Sequence, residues 1–576
     1  MLLRPIRSCL IFLIFLASFV ALRPSSVASA QAYVGRPKLI VIIVIDQFRG
    51  DYLNRDRAEF KNRGFRLFMN EGAWFTDCYY DYANTKTAPG HATIGTGAYS
   101  DGHGIESNEW WDASRSNEKK VSSVEDERYQ LVAVPASSIP ANAPGAPPNA
   151  AKFLVGASPL NERASTLGDE LRLATQGKAK VFGVSLKDRA AILPVGQSAN
   201  GAFWIDNKSG QFTTSTYYMH NLPEWATAFN QSGRRAQAER EANAEGTTQF
   251  FDLVGRTPAA NSYEFDFAKA LINGEKLGQR GVTDLLTISL SANDIQGHQF
   301  GPDSDSEHQM ILALDQQFDT FFTWLDQNVG LGNVWLALTA DHGIAPVPRE
   351  AAQLGIDSGL LNMEKLYAQL ETELNQRHSP GQPVEYLMPG PELPYIVLNK
   401  HAFETAHVSE QAAEDELAAL IPDAVAAQSP AMPQLKLNEP TPEPSQQRRP
   451  PVPQVAGVFT RLQMADGQLP QTELGRELAH SYAYHGNWFV MLMLGGYQME
   501  EIRSRTGTTH FSPWSYDRHV PLAFYGTPFV PGEYHERVAP VDLATTFAAE
   551  LGINFPSAAV GRVLTQALKP VHAQNH

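Results

Sequence analysis

Lys38-Leu39-Ile40-Val41-Ile42-Ile43-Val44-Ile45-Asp46 is the stretch that decides the fold. An unbroken run of β-branched and aliphatic residues has no polar face. It suits a strand covered on both sides, as in the middle of a parallel sheet. The run stops on a carboxylate. A second apolar run, Val334-Trp335-Leu336-Ala337-Leu338, leads into Ala340-Asp341-His342-Gly343. Open α/β sheets place their active sites at the carboxyl ends of such strands. Further strand candidates lie at 179–185, 285–290, 488–494 and 522–525, and helical patterns at 165–175 and 307–328. This alternation predicts an α/β fold, with a mostly parallel central sheet between helical layers.

With 576 residues the chain exceeds what one small core needs, so insertions or a second unit are expected. Apolar residues make up 43% and charged residues 19%, as in an ordinary globular enzyme. The formal charge of −16 argues against nucleic acid as a partner. An acidic protein that handles anions must concentrate cations locally, as Lys, Arg or metal.

Residues 1–30 read as an export signal, which makes the protein periplasmic or secreted. Arg4 and Arg7 precede an apolar run from Cys9 to Leu22, and Ala28-Ser29-Ala30 precedes a cleavage point at Gln31. The alternative is an uncleaved anchor, but the run is shorter than the roughly 20 residues of a spanning helix. No later segment reads as membrane-spanning, so no membrane contact is expected after cleavage. Cys9 and Cys78 are the only cysteines, so cleavage leaves one thiol and no internal disulfide. Cys78 reads as a small buried apolar residue. Residues 31–570 read as one catalytic domain and 571–576 as a tail. Insertions are expected near 130–155, around the Pro/Ala/Ser-rich stretch 134–150, and at 350–480, which includes the Pro-rich 440–453.

Five segments supply candidate site residues. Asp46 ends the first strand and reads as a metal ligand or as a cap. Asn84 to Thr93 contains Thr85, Thr87 and Thr93. Pro89 suits a first helical turn, which puts Thr87 just before a helix N-terminus, where backbone N–H groups favour an anion. Any of the three hydroxyls needs a base or a metal to become a nucleophile. Asp294 and His298 are four apart and share one helical face. Asp341 and His342 follow the next strand. His510 lies in the loop-like Gly507-Thr508-Thr509-His510-Phe511-Ser512-Pro513, and as one of 16 histidines it reads equally as a solvated loop residue. Three carboxylates and three histidines fit two zinc sites, each with three protein ligands and an open position. With a Thr oxygen between them they resemble a two-metal phosphoryl-transfer centre.

The motifs VIDQFRGDYL (44–53), TAPGHATIGTG (87–97), NDIQGHQFGPDS (293–304), TADHG (339–343) and GTTHFSPWSYD (507–517) occur in that order. The chain thereby resembles the alkaline phosphatase superfamily, and most closely the PafA-like exported alkaline phosphatases, which are related to type I phosphodiesterases and nucleotide pyrophosphatases. The resemblance implies an alkaline-phosphatase-like fold and hydrolysis of phosphate monoesters of broad specificity, with small-molecule phosphate monoesters as substrates. It implies two Zn²⁺ ions: one on Asp294, His298 and His510, the other on Asp46, Asp341 and His342. Thr87 would be the nucleophile beside the second ion and would form a phosphothreonine intermediate.

Residues 185–189, Ser-Leu-Lys-Asp-Arg, follow a strand and put Lys187 and Arg189 two apart, so an extended chain aims both the same way. Alone, they read as a solvated basic turn, and Asn108 as a turn residue. The resemblance implies that Lys187, Arg189 and Asn108 hold the transferring phosphoryl group. That favours a monoesterase; the alternative is a phosphodiesterase or nucleotide pyrophosphatase on the same scaffold. His91 reads as a structural residue of the Thr87 helix. No ligand set for a third, magnesium site is recognised, and TAPGH lacks the Cys or Ser and the Arg of a sulfatase.

Overall fold

The structure, a computed structural model, describes residues 37–112, 120–133, 155–390, 392–428, 453–501 and 507–570. The expected signal at 1–30 with Cys9, the stretch 134–150, nearly all of 440–453 and the tail 571–576 lie outside them.

Strand β1 (Leu39–Ile45) is buried along its whole length, as its apolar run requires. It is the second of five parallel strands, in the order β5 (Val334–Thr339), β1, β4 (Asp284–Leu290), β2 (Val181–Ser185), β3 (Gly201–Ile205). Strand β7 (Leu522–Tyr525) joins β5 antiparallel, and among the described residues the sheet has 11 strands. Register is tight at the centre: Ile45 faces Leu290 and Val44 faces Thr339, so β1, β4 and β5 end level with one another. Asp46, Asp294 and Asp341 therefore emerge at one edge of the sheet. Both neighbours of β1 come from later in the chain, which makes this edge a switch-point crevice.

Helices cover the sheet. Helix α5 (Asp305–Asn328) begins at Ser304, whose hydroxyl accepts from the Glu307 N–H. It buries Met310, Ile311, Leu314, Phe318, Phe321, Phe322 and Leu325, a stripe at helical spacing. The predicted 165–175 helix runs Leu167–Ala174, set by a Thr166/Asp169 capping box. Cys78 is fully buried.

One strand lies elsewhere than expected. β6 (Trp488–Leu494) is not in the central sheet; it is the middle of a separate three-stranded antiparallel sheet, between Tyr395–Leu398 and Val455–Thr460. Trp488, Val490, Leu492 and Leu494 face a cluster built on Leu361, Leu370, Phe403 and Leu417. Phe489, Met491 and Met493 face another with Ala83, Met464 and Leu478. A strand buried on both faces carries the same apolar signature in either kind of sheet, which is why the sequence pattern misassigned it.

This second unit is tied to the first by charge. Lys86, 1% exposed, donates to Glu392 at 2.6 Å, and Lys120 reaches the other oxygen of Glu392 at 3.0 Å. Burial opposes ionisation of Glu392, but Lys86 and then Lys120 outweigh it and hold its carboxyl down to about 2. A carboxyl held below its ordinary value of 4.5 contributes stability that is present above that value. The contribution is lost as pH falls from 4.5 toward 2. Glu392→Gln leaves Lys86 buried without a counter-charge and should cost on the order of 3 kcal/mol at neutral pH. Urea unfolding tests this: the variant should unfold earlier at pH 7, with the gap closing in acid. Equal midpoints at pH 7 would show that the bridge contributes nothing.

Candidate active site

Four strand ends and one loop build the crevice. β1 delivers Asp46. β4 leads into helix α4 (Ala292–Phe300), which carries Asp294 and, one turn on, His298. β5 delivers Asp341 and His342, β2 delivers Lys187, and the 507–517 loop brings His510. Asp46, Asp341 and His342 are fully buried, and Asp294 and His510 nearly so. Two groups form: Asp46, Asp341 and His342; and Asp294, His298 and His510. Within each group the donor atoms lie within 4.8 Å of one another. The His342 and His510 rings stack at 3.7 Å, so the groups are adjacent.

The imidazoles are oriented alike. Nδ1 of His298 faces the Thr508 carbonyl at 3.0 Å, that of His342 the Gly343 carbonyl at 2.9 Å, and that of His510 the Thr85 carbonyl at 2.5 Å. A protonated Nδ1 bonded to a carbonyl leaves Nε2 as a lone-pair donor. His298 Nε2 is 3.1 Å from Asp294 Oδ1, and His342 Nε2 is 3.5 Å from Asp46 Oδ1. Asp46 Oδ1, Asp341 Oδ2 and His342 Nε2 are buried and lack any hydrogen-bond partner. Convergent orphan donors of this kind fit a divalent cation, and the donor set suits zinc.

Charge is the governing feature. Burial, then Asp294 and Asp341, push the Asp46 carboxyl well above its ordinary range. Lys187 sets its ammonium between the groups, 2.6 Å from both Asp46 Oδ2 and Asp294 Oδ2. Burial works against Asp294, but Lys187 and His298 hold its carboxyl low. Burial, reinforced by the neighbouring His342 and His298, depresses His510, and burial also lowers His342. Both therefore favour the neutral form that ligates metal.

Helix α1 (Thr87–Thr96) starts at Thr87, one residue earlier than the sequence suggested, with Lys86 at the cap position. The structure also separates the three threonines. Thr85 Oγ1 donates to the Ser512 carbonyl and accepts from the N–H groups of Phe511 and Ser512, so it fastens the His510 loop. Thr93 Oγ1 is paired with His103 Nε2 at 3.2 Å. Both hydroxyls thus serve structural contacts. His91 bonds the Thr87 carbonyl through Nδ1 at 2.8 Å and Ser289 through Nε2 at 2.7 Å, bracing α1 against β4.

Asn108 Oδ1 accepts from the Ala88 N–H at 2.8 Å, so its amide NH₂ is held at the start of α1 as a donor. Lys187 and Arg189 are not arranged as an extended pair. Lys187 is extended, with ψ 138°, but it caps helix α2 (Asp188–Ile192), and Arg189 lies in the first turn of that helix. Arg189 Nε is buried without a partner, and its charge is felt at Lys187.

Sequence reasoning missed two contributors inside its own motifs. Gln47 bonds both Asp294 and Asp341. Asp517, 1% exposed, accepts from the N–H and hydroxyl of Ser512 and so shapes the His510 loop. The signal for Asp517 was its place at the end of GTTHFSPWSYD. A third grouping, Asp56, Glu59 and His308, lies apart, and its Asp56 is already paired with Arg55.

Residues 40–446 match the family model for type I phosphodiesterase / nucleotide pyrophosphatase. The alkaline phosphatase PhoV of Synechococcus elongatus is 32% identical, covering 93% of this chain and 94% of that protein. A Myroides odoratus protein named calcium-transporting ATPase is 30% identical over 94% and 96%. The alkaline phosphatase PafA of Elizabethkingia meningoseptica is 31% identical over 93% and 95%. The crystal structure of PafA superposes with a TM-score of 0.77 and 28% identity, covering 93% of this chain and 100% of that one.

Gly90 marks where α1 meets β5: a Cβ there would lie 2.3 Å from the Asp341 carbonyl oxygen and 2.6 Å from Asp341 Cβ. Gly90→Ala must push α1 away from Asp341. It should lower stability by about 1–3 kcal/mol, read as a drop in Tm, and reduce metal retention. A variant with unchanged Tm and metal content would show that the helix has room to spare.

Proposed function

The chain belongs to the type I phosphodiesterase / nucleotide pyrophosphatase family and within it to the PafA-like alkaline phosphatases, and from that premise we propose that it is an exported, zinc-dependent phosphate monoester hydrolase of broad specificity that works through a phosphothreonine. One observation carries the reading: two three-donor groups converge beside the start of α1, with the ammonium of Lys187 between them.

Asp294, His298 and His510 would hold one zinc, and Asp46, Asp341 and His342 the other. Bound there, the pair supplies Lewis acidity to the entering and leaving oxygens of an in-line displacement. Thr87 Oγ attacks phosphorus, its proton is lost, and the bond from phosphorus to the ester oxygen breaks, which leaves phosphothreonine and an alcohol. Water then attacks the same phosphorus, releasing inorganic phosphate and restoring the hydroxyl. Asn108 donates its amide NH₂ to a non-bridging oxygen. Lys187 and Arg189 supply the positive charge that a monoester dianion needs. Lys187 is aimed into the metal groups rather than away from them, which favours the monoesterase over the diesterase. Export rests on Arg4, Arg7 and the apolar run that follows. Among the described residues no helix is long and apolar enough to cross a membrane.

Metal content and rates on an aryl phosphate monoester and the matching diester, measured on one sample, test the reading. About two zinc ions per chain and a strong preference for the monoester are expected. Comparable rates would make the protein a diesterase. Thr87→Ala should keep its zinc, lose activity by about 10³-fold or more and form no covalent phosphoryl adduct. Label retained on that variant would place the nucleophile elsewhere.

A further inference from the structure

Gln47 follows Asp46 directly and holds a backbone conformation, φ 65°, that side-chain-bearing residues rarely adopt. That turn lets one residue serve three carboxylates. Its backbone is continuous with Asp46. Its N–H donates to Asp341 Oδ1 at 3.0 Å, and its side-chain amide donates to Asp294 Oδ1 at 2.7 Å. Asp341 Oδ1 also accepts from the His342 N–H at 3.0 Å, and Asp341 Oδ2 faces His342 Nε2 at 3.6 Å and His91 Nδ1 at 3.3 Å. Asp294 Oδ1 is the oxygen that faces His298 Nε2 and His510 Nε2, at 3.1 and 3.9 Å. Since a carboxylate oxygen has two lone pairs, the bond from Gln47 fixes one and leaves the other for a cation.

The amide itself is locked. Gln47 is fully buried, and its Oε1 has no partner. That oxygen lies against α4 where Gly297 presents no side chain: a Cβ on Gly297 would come within 2.1 Å of it. The glycine between Asp294 and His298 thus makes room for the Gln47 amide. It is not needed for backbone freedom, since no positive φ is found there.

We propose that Gln47 is a positioning residue that couples the two metal groups, fixing Asp294 and Asp341 relative to Asp46 and so setting the spacing of the two ions. This rests on the two-zinc reading above. It acts through the ligands and touches no substrate.

The test is zinc release from the loaded full-length enzyme into a chromogenic chelator, with the phase absent in His510→Ala assigned to the Asp294 group. Gln47→Met keeps size and backbone but removes the amide. Release from the Asp294 group should quicken by about 10- to 100-fold, with a parallel fall in kcat/KM. Gly297→Ala is the independent arm. It touches no ligand, favours the helix and displaces only the flexible end of Gln47. It should reproduce the faster release, and the double variant should be no worse than Gln47→Met alone. Tm of the metal-free proteins should stay near wild type. Wild-type release kinetics in Gln47→Met, or additive effects in the double variant, would overturn the role of Gln47. A wild-type enzyme that binds no pair of zinc ions would overturn the two-metal reading and this assignment together. If Gln47→Met fails to fold, Gly297→Ala decides the matter alone.

Discussion

The crevice depends on holding three carboxylates, Asp46, Asp294 and Asp341, out of water beside one another. Like charges about 4 Å apart repel by about 4 kcal/mol at an effective dielectric of 20, and burial adds to the penalty. Positive charge or protonation must offset them, and burial with its two carboxylate neighbours does push the Asp46 carboxyl up. Lys187 supplies one unit, bonded to two of the three. The remaining demand is what makes the site a receptor for divalent cations, and the histidines are set with Nε2 inward to meet it. An acidic chain could then act on an acidic substrate once divalent cations are bound, because only they with Lys187 and Arg189 would outweigh the three carboxylates against the formal charge of −16.

Two of the eight left-handed non-glycine positions among the described residues adjoin the crevice. Gln47 and Phe511 hold left-handed conformations, φ 65° and 94°, and each immediately follows a proposed ligand, Asp46 and His510. Such conformations persist where surrounding contacts over-determine them. Gln47 is held by two carboxylates. Phe511 is held by the Thr85 hydroxyl, and Lys86 lies 4.4 Å from its ring centroid. The 507–517 loop has no regular structure before Ser515, so Thr85, Asp517 and the Thr508–His298 contact do for His510 what strand pairing does for Asp46.

The sequence was most readable where one pattern has one structural solution. The apolar run of β1 and the Asp-His pair after β5 gave the central sheet and its active edge. Asp294 and His298 followed from helical spacing. Reading failed where one pattern has two solutions. β6 is apolar on both faces because two small clusters sandwich it, a pattern shared with a parallel strand. Thr85, Thr87 and Thr93 could not be ranked from the sequence, because Thr85 is occupied by a loop more than 400 positions away and Thr93 by the side chain of His103. Gln47 could not be read at all. Its role comes from a left-handed turn and a cavity over Gly297, and neither leaves a compositional trace.

The metal groups and the choice of substrate are separate layers of one design. The donor groups lie where β1, β4 and β5 end in register, and they would serve any phosphoryl transfer. The residues proposed to discriminate substrates come from elements built around that frame: Asn108 from the segment after α1, and Lys187 and Arg189 from the cap and first turn of α2. Asn108 shows how closely the layers are joined. Its oxygen bonds the Ala88 N–H, so the residue that positions the start of α1 is also the one proposed to donate to the incoming anion. A change that moved Asn108 to suit a second ester group would loosen the helix that carries Thr87. The route from monoester to diester chemistry on this scaffold therefore runs more easily through Arg189, which belongs to a different helix, whereas Lys187 also bonds Asp46 and Asp294 and so belongs to both layers.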